Sequence, residues 1–225
     1  MKGVILAGGK ATRLRPLTYV TNKHLLPIYN KPMIFYPLES MRQAGIRDLL
    51  LITGHEHAGA FVNLLKSGKE FGFDSLSYEI QDEAGGLAQA VSLAEEFAAD
   101  DNTLVVLGDN IFTHNLKETV DQFEKRGSGA MIFAKRMPTE SKQYGVVEMD
   151  EDSGRVISIE EKPENPKSDL AQTGIYMYDN EVFSYIKSLK PSGRGELEIT
   201  DLNNCYVKKG TLHCEVMEGW WIDAG

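Results

Sequence analysis

Short hydrophobic runs alternate with amphipathic stretches through the first half of this 225-residue chain. The runs are rich in Val, Ile and Leu, which indicates buried parallel strands, and the stretches between them have the 3.6-residue period of a helix. We predict strands at Gly3–Ala7, Leu49–Thr53, Leu76–Ile80 and Thr103–Leu107, and helices at Pro32–Ala44, His57–Lys66 and Leu87–Ala98. This strand–helix–strand order predicts parallel strands joined by crossover helices, as in a doubly wound α/β sheet.

Strand-like segments predominate after residue 130. They are predicted at Ala130–Lys135, Tyr144–Met149, Val156–Glu161, Ala171–Tyr178 and Leu212–Met217, with a turn at Asp152–Gly154 and helices at Glu181–Leu189 and Glu196–Lys208. No internal repeat, low-complexity tract or linker divides the chain. We therefore expect one domain over residues 1–225, with a mixed sheet and substrate-side insertions in its second half.

The charge is distributed unevenly. The chain has 24 Lys and Arg against 33 Asp and Glu, a formal net charge of −9, which argues against nucleic acid as a partner. The first 38 residues, however, contain no acidic residue and six cationic ones: Lys2, Lys10, Arg13, Arg15, Lys23 and Lys31. An acidic protein with a basic, acid-free amino-terminal end favours a small anion bound at that end.

The sequence also indicates a cellular compartment. Cys205 and Cys214 have neither the number nor the spacing of a disulfide framework or a metal site. No apolar run approaches the eighteen or so residues that a membrane span requires. We expect a cytoplasmic protein with two free thiols and no membrane partner.

Two glycines, Gly8 and Gly9, follow the first predicted strand directly. Ligands in open α/β sheets bind beyond the carboxyl ends of the strands, and adjacent glycines let backbone N–H groups approach phosphate oxygens. Lys10, Arg13 and Arg15 add positive charge. The spacing is neither that of a dinucleotide-binding turn nor that of a P-loop. A tight turn with solvated basic residues is the alternative, and the lack of nearby acidic residues favours phosphate binding.

A series of motifs then makes the chain resemble the sugar nucleotidylyltransferase family, most closely the members that use dTTP and glucose 1-phosphate. In chain order the motifs are Leu6-Ala7-Gly8-Gly9 with Thr12-Arg13-Leu14, Lys23-x-Leu25-Leu26-Pro27, Lys31-Pro32-Met33-Ile34, Gly86-Leu87-Ala88-Gln89-Ala90, Leu107-Gly108-Asp109-Asn110, Tyr144-Gly145-Val146-Val147, Glu160-Glu161-Lys162-Pro163, Thr173-Gly174-Ile175-Tyr176, Arg194-Gly195-Glu196-Leu197-Glu198-Ile199-Thr200-Asp201 and Trp221-Ile222-Asp223-Ala224-Gly225. Several motifs in one order are more specific than any one of them. The resemblance implies a Rossmann-like fold of the nucleotide-diphospho-sugar transferase type. It also implies magnesium-assisted attack of glucose 1-phosphate on the α-phosphorus of dTTP, which yields dTDP-glucose and pyrophosphate.

The resemblance assigns a role to each motif residue. The catalytic residues are Arg13 on the leaving pyrophosphate, Lys23 on the reacting phosphates and Lys162 on the sugar phosphate. The nucleotide-binding residues are Leu6, Ala7, Gly8, Gly9, Gln81, Gly86 and Asp109, and those for the sugar phosphate are Tyr144, Gly145, Glu161, Lys162, Thr173 and Arg194. The metal ligands are Asp109 and Asp223. Residues 1–130 would then mainly bind the nucleotide and residues 131–225 mainly the sugar phosphate.

Simpler interpretations stay open for several of these residues. Lys23 could be a solvated loop lysine, Lys162 part of a surface ion pair, Asp109 a helix cap, Asp223 a loop residue, and Arg194 structural. Gly86 would allow the base to approach closely, and the Gln81 amide could pair with thymine or uracil. Where the family usually has a third glycine this chain has Ala11, so we expect a negative φ there. A structural role is expected for His24, and Gly85 replaces an acidic residue that is often found.

Other functions also stay open. A close variant would use UTP or another hexose 1-phosphate, because thymine and uracil present the same carbonyl-rich edge. A non-catalytic nucleotide-binding homologue is a second alternative, although it would not need both metal carboxylates. A dinucleotide-dependent oxidoreductase is the third, and it lacks the glycine spacing. A homo-oligomer is compatible with all of them.

Overall fold

The structure, a computed structural model, describes residues 1–9, 11–150 and 152–225. Its strands are β1 (Lys2–Ala7), β2 (Pro27–Ile28), β3 (Lys31–Pro32), β4 (Asp48–Gly54), β5 (Ser75–Gln81), β6 (Thr103–Leu107), β7 (Asn110–Phe112), β8 (Ala130–Arg136), β9 (Gly145–Asp150), β10 (Arg155–Glu161), β11 (Leu170–Tyr178), β12 (Leu212–Val216) and β13 (Trp221–Asp223). Its helices are α1 (Phe35–Gln43), α2 (Ala58–Leu65), α3 (Leu87–Ser92), α4 (Glu95–Ala98), α5 (Lys117–Arg126), α6 (Glu181–Ser188) and α7 (Ile199–Lys209).

The main sheet within the described residues has nine strands in the order β5-β4-β1-β6-β11-β8-β12-β10-β9. The first four strands of that order are parallel to one another, whereas β11 is antiparallel to both of its neighbours. The predicted mixed α/β sheet in a single domain is confirmed. The chain moves outward from β1 through β4 to β5 and then returns to the other side of β1 as β6. In a doubly wound sheet this reversal opens a crevice at the carboxyl ends of the two central strands, here β1 and β6.

Alternate residues of β1 pack on opposite faces of the sheet. Val4 and Leu6 belong to a core with helices α3, α4, α6 and α7, while Ile5 and Ala7 belong to a second core with α1, α2 and α5. Because both faces are covered, the strand is a continuous hydrophobic run without polar alternation. No helix in the described part of the chain is long and apolar enough to cross a membrane.

Several predicted elements have different bounds. The predicted helix over 87–98 is two helices, α3 and α4, because Leu93 and Ala94 make i→i−3 hydrogen bonds that tighten the backbone between them. Helix α7 begins at Ile199, three residues later than predicted, since the backbone of Glu198 is extended. The predicted turn after β9 is present, and the Asp150 carboxylate accepts the Ser153 N–H at 2.8 Å.

Candidate active site

The crevice at the ends of β1 and β6 joins the two segments that follow those strands. After β1 the chain continues into Gly8 and Gly9, which we call the glycine turn. Gly9 has a φ of 91° with open space where a Cβ would lie. The Gly108 N–H donates to the Leu6 carbonyl at 2.9 Å, which fastens the segment after β6 beside the glycine turn. Leu6 and Ala7 are buried in β1. A ligand can therefore approach the backbone of Gly9 from the open side.

Ala11, at the start of the next turn, contradicts the expectation of a negative φ. Its φ of 43° and ψ of 49° place it in the left-handed region. The expectation was wrong because L-residues can enter a small left-handed region at a cost of about 1–2 kcal/mol. The Ala11 carbonyl accepts hydrogen bonds from the Leu14 N–H at 3.1 Å and from the Thr18 hydroxyl at 2.8 Å. These two bonds help to hold the unfavourable conformation.

The predicted phosphate-binding cations are in different positions. Arg13 is exposed in the single 3-10 turn Thr12–Leu14. Burial and the charge of Asp223 raise the pKa of Tyr144, and the Arg13 guanidinium partly opposes this rise. Arg15 instead lies over the ring of Tyr19, 4.9 Å from its centroid. Lys10 lies outside the described residues.

The charged centre of the site consists of Lys23, Asp109 and Asp223. The Lys23 ammonium lies 2.5 Å from Oδ2 of Asp109. A Cβ built on Gly225 would lie 2.7 Å from that same oxygen and 3.3 Å from Oδ1 of Asp223, so the two carboxylates face one point. Strand β13 pairs with β7, and the register places Asp223 opposite Asn110, next to Asp109 in the chain. The two-stranded sheet therefore brings together the two predicted metal ligands.

The two carboxylates have opposite pKa shifts. Burial alone would raise the pKa of Asp109, but the charge of Lys23 and the hydrogen bonds from Lys23 and Asn110 hold it below its usual value. For Asp223, burial and then the negative charge of Asp109 raise the pKa, and Lys23 and Arg13 offset only part of this rise. Two carboxylates that repel each other in this way favour binding of a cation between them.

A cavity of about 400 Å³ lies on the glycine-turn side of the centre, and Gly9, Lys23 and Gln81 are among its lining residues. The Gln81 amide nitrogen donates to the Gln89 side chain at 2.5 Å and to the Gly86 carbonyl at 3.2 Å. Its amide oxygen lies 3.2 Å from where a Gly8 Cβ would be. A side chain at position 8 would crowd this amide, so the glycine leaves the Gln81 oxygen free to face the cavity.

The lack of a side chain at Gly86 makes room for the protein backbone, whereas we expected it to make room for the base. Its φ is 96°, and a Cβ there would overlap the backbone carbonyl of Leu197. The two segments are hydrogen bonded, because the Leu197 N–H donates to Gly85 and the Ala88 N–H donates to Leu197. The lack of a side chain at position 86 therefore lets the backbone of Leu197 approach closely. A contact of Gly86 with the base stays a prediction.

Two of the predicted sugar-phosphate residues lie where β9 begins and β10 ends. Gly145 pairs with Glu161 across the two strands, and Glu161 accepts the Thr200 hydroxyl at 2.7 Å. Burial raises the pKa of Tyr176, and the charges of Glu161, Asp109 and Asp223 contribute to that rise. The sugar-side carboxylate and the metal-side carboxylates are therefore all near enough to one buried phenol to affect its pKa.

Three other predicted sugar-phosphate residues have different surroundings: Lys162, Thr173 and Arg194. Lys162 has an exposed side chain, 3.8 Å from Glu161, and a left-handed φ of 44°, a strained conformation that is common at functional sites. The Thr173 hydroxyl is buried and donates to the Phe133 carbonyl at 2.9 Å. Arg194 donates to Glu198 at 2.9–3.3 Å, the structural pairing left open above.

The sequence profile described as nucleotidyl transferase matches residues 2–225. The chain belongs to the nucleotidyl transferase family. It is 49% identical to a glucose-1-phosphate thymidylyltransferase of Neisseria meningitidis, over all of this chain and 78% of that protein. It is 47% identical to the thymidylyltransferase of Mycolicibacterium smegmatis, with the same coverage.

Two solved structures of the nucleotidyl transferase fold are similar to this one. A Bacillus anthracis protein assigned as a glucose-1-phosphate thymidylyltransferase, in complex with sucrose, superimposes with a TM-score of 0.93 at 50% identity, over all of this chain and 89% of that one. A UDP-glucose pyrophosphorylase complexed with UDP-glucose has a TM-score of 0.88 at 25% identity, over 99% and 92%. The predicted fold class is confirmed.

The nucleotidyl transferase site also contains residues to which the sequence prediction gave no role. Asn110 is buried, donates to Asp109 at 3.0 Å, and accepts from the Gly174 N–H at 2.8 Å and the Trp221 indole at 2.7 Å. Thr200 orients Glu161. Both residues belong to the quoted motifs or lie beside them, so their position was the available signal. Spacing alone did not indicate what they touch.

Proposed function

We propose that this protein transfers a thymidylyl group from dTTP to glucose 1-phosphate, forming dTDP-glucose and pyrophosphate. The observation that carries the proposal is the meeting of Lys23, Asp109 and Asp223 at the sheet crevice. The full-length similarity to glucose-1-phosphate thymidylyltransferases supports this choice of substrates.

In the proposed reaction, an oxygen of the sugar phosphate attacks the α-phosphorus of dTTP, and the bond to the β-phosphate oxygen breaks. No protein nucleophile is needed, so the chain must position two anions and neutralise their charge. Arg13 would bind the departing pyrophosphate and Lys23 the reacting phosphates, since Lys23 lines the cavity and the charge of Arg13 lowers the pKa of Asp223. Lys162 would bind the sugar phosphate, while Glu161, oriented by Thr200, would accept hydrogen bonds from sugar hydroxyls.

Members of this family generally use a divalent metal ion, and the residues present fit Mg²⁺. Asp109 and Asp223 supply the hard oxygen ligands that Mg²⁺ prefers, and Mg²⁺ characteristically takes only one or two protein carboxylates, with phosphates and waters completing the shell. Burial and the charge of Asp109 raise the pKa of Asp223, and a cation between the two carboxylates would offset their repulsion. When bound, Mg²⁺ would neutralise charge on the phosphates. Among the described residues, no group of three or more His, Cys, Asp or Glu side chains forms a denser metal cluster.

The nucleotide would bind through residues 1–130, where the glycine turn and Gln81 line the cavity, and the sugar phosphate mainly through residues 131–225. A UTP-dependent reaction is the second candidate, because a Gln81 amide can pair with thymine and uracil alike and the fold is that of a pyrophosphorylase complexed with UDP-glucose. The two free cysteines and these substrates are consistent with a cytoplasmic enzyme.

The test is release of pyrophosphate from dTTP or UTP in the presence of glucose 1-phosphate and Mg²⁺. We expect the higher kcat/KM with dTTP and a requirement for both substrates. Asp109→Asn and Asp223→Asn should each lower kcat at least about 100-fold with little change in the unfolding temperature. Asp121→Asn, on the exposed face of α5, is the matched control. Nucleotide binding without any pyrophosphate release would favour the non-catalytic alternative instead.

A further inference from the structure

The turn that carries Lys23 is fixed by its two neighbours in the chain, Asn22 and His24, and both are buried. The Asn22 amide nitrogen donates to the Ala7 carbonyl at the end of β1, at 3.2 Å. Its amide oxygen caps the 3-10 turn by accepting the His24 backbone N–H at 2.9 Å and bonds the ring Nδ1 of His24 at 2.7 Å. The His24 carbonyl in turn accepts the Ile34 N–H at 2.8 Å. The lysine turn is therefore tied to the glycine turn through these two side chains.

The imidazole of His24 also contacts the segment that carries Asp109. A Cβ on Gly108 would lie 2.7 Å from Cδ2 and 3.1 Å from Nε2 of the ring, so only glycine fits between the ring and that backbone. Gly108 directly precedes Asp109 in the chain. The ring consequently fills the space between the turn with Lys23 and the turn with Asp109, whose side chains meet at 2.5 Å.

The imidazole is uncharged at neutral pH. Burial lowers the pKa of His24 to about 4, and the opposing effect of the Asp109 charge does not restore it. Because the Asn22 amide nitrogen is directed to Ala7, its oxygen faces the ring, and the ring proton lies on Nδ1. A neutral ring fills the gap without competing with the Lys23 ammonium for the Asp109 carboxylate.

We propose that His24 is a positioning residue, which sets the Lys23 ammonium against the Asp109 carboxylate through its hydrogen bond to Asn22 and its packing on Gly108. His24 has no assigned contact with substrate and acts through these two neighbours. The proposal rests on the proposed function for the meaning of a change in kcat. It predicts that the loss of kcat caused by replacing His24 depends on the presence of Lys23.

The test is a double-mutant cycle between His24→Leu and Lys23→Gln, measured as kcat for pyrophosphate release and as affinity for dTTP with Mg²⁺ by calorimetry. Leucine fills much of the ring volume and cannot bond Asn22. We expect His24→Leu to lower kcat at least 20-fold in the wild-type background and less than threefold in the Lys23→Gln background. His24→Asn keeps a donor at the place of Nδ1 and should restore kcat to within about fivefold of wild type.

The control is His213→Leu on β12, away from the crevice, which should keep the wild-type kcat. Equal losses from His24→Leu in both backgrounds, or a wild-type kcat in that variant, would overturn the proposal. Where leucine prevents folding, the cycle is run with His24→Asn, and its smaller loss must again vanish beside Lys23→Gln. If the wild-type protein binds dTTP without turnover, the proposed function is refuted. The double-mutant cycle measured as affinity for dTTP still decides the role of His24 in that case.

Discussion

Replacement of Asn110 by leucine removes three hydrogen bonds at the junction of the two metal-side segments. Asn110 is 2% exposed. Its amide nitrogen donates to Asp109, and its oxygen accepts from the backbone of Gly174 and the indole of Trp221. Leucine has the same number of heavy side-chain atoms, branched at the same carbon, and no polar atom, so the change removes the hydrogen bonds and adds only the bulk of its methyl groups.

The magnitude follows from the two donors that the variant leaves buried. Each unsatisfied N–H costs about 1–3 kcal/mol, and the added apolar burial of leucine offsets part of this. We expect a net loss of about 2–4 kcal/mol in the free energy of unfolding, or roughly 5–15 °C in the melting temperature of a chain of this length. Activity should fall as well, because Asp109 loses a donor and the strand that carries Asp223 loses the anchor at Trp221.

The assay is unfolding by heat and by urea, followed by circular dichroism, with pyrophosphate release measured in parallel. Asn63→Leu, exposed on α2, is the matched control and should change stability by less than about 0.5 kcal/mol. Asn110→Asp keeps an acceptor for Gly174 and Trp221 but places a second carboxylate beside Asp109, so it should lose activity more than stability. An Asn110→Leu variant that melts with the wild type would refute the reasoning.

Three further predictions concern backbone strain and acid stability. Ala11→Gly relieves the left-handed strain but frees the unfolded chain, so we expect a net gain of about 0.5–1 kcal/mol in urea unfolding; a loss would show that Ala11 is unstrained. Gly86→Ala should cost at least about 2 kcal/mol, because its Cβ overlaps Leu197 at a positive φ; Gly59→Ala, with open space around it, is the control and should not destabilise. The pKa of His24 is lowered to about 4 in the folded chain. Its contribution is therefore complete above the unfolded pKa of about 6.5 and lost as the pH falls toward 4. Wild type should lose about 2 kcal/mol more than His24→Asn between pH 7 and pH 5, and equal slopes would contradict this.

The elements of the main sheet could be predicted from hydrophobicity because both faces of that sheet are covered. Strand β6 has the predicted bounds, and β1 and β4 are each longer by one or two residues. Helix α5 was missed although Leu116, Val120 and Phe123 lie on one buried face, so a signal for it existed. Strands β7 and β13 have three residues each, too few for any periodicity to be recognised.

The candidate site, like the fold, could be predicted only in part from the sequence. The resemblance assigned Lys23, Asp109 and Asp223 to one site, and the structure brings these three side chains together. The reasons given for single residues were less secure: a Cβ did not force a negative φ on Ala11, and Gly86 makes room for Leu197. Such details depend on which backbone approaches which residue in three dimensions, and the sequence contains no local signal for that approach. The roles of the site residues stay predictions until variants are measured.

The uneven charge of the chain follows from the topology of the sheet. Lys23 belongs to the acid-free first 38 residues, whereas Asp109 and Asp223 belong to the acidic remainder. Strand β6 lies beside β1 in the sheet, which places Asp109 next to the amino-terminal turns, and the pairing of β13 with β7 adds Asp223 from 114 residues farther along the chain. Cations and carboxylates that were close in sequence could pair without the complete fold, whereas Lys23 and Asp109 pair only when β6 lies beside β1. Their separation into distant segments makes the charged centre a product of the complete fold, so a variant that loosens the pairing of β13 with β7 should lose activity before it loses the main sheet.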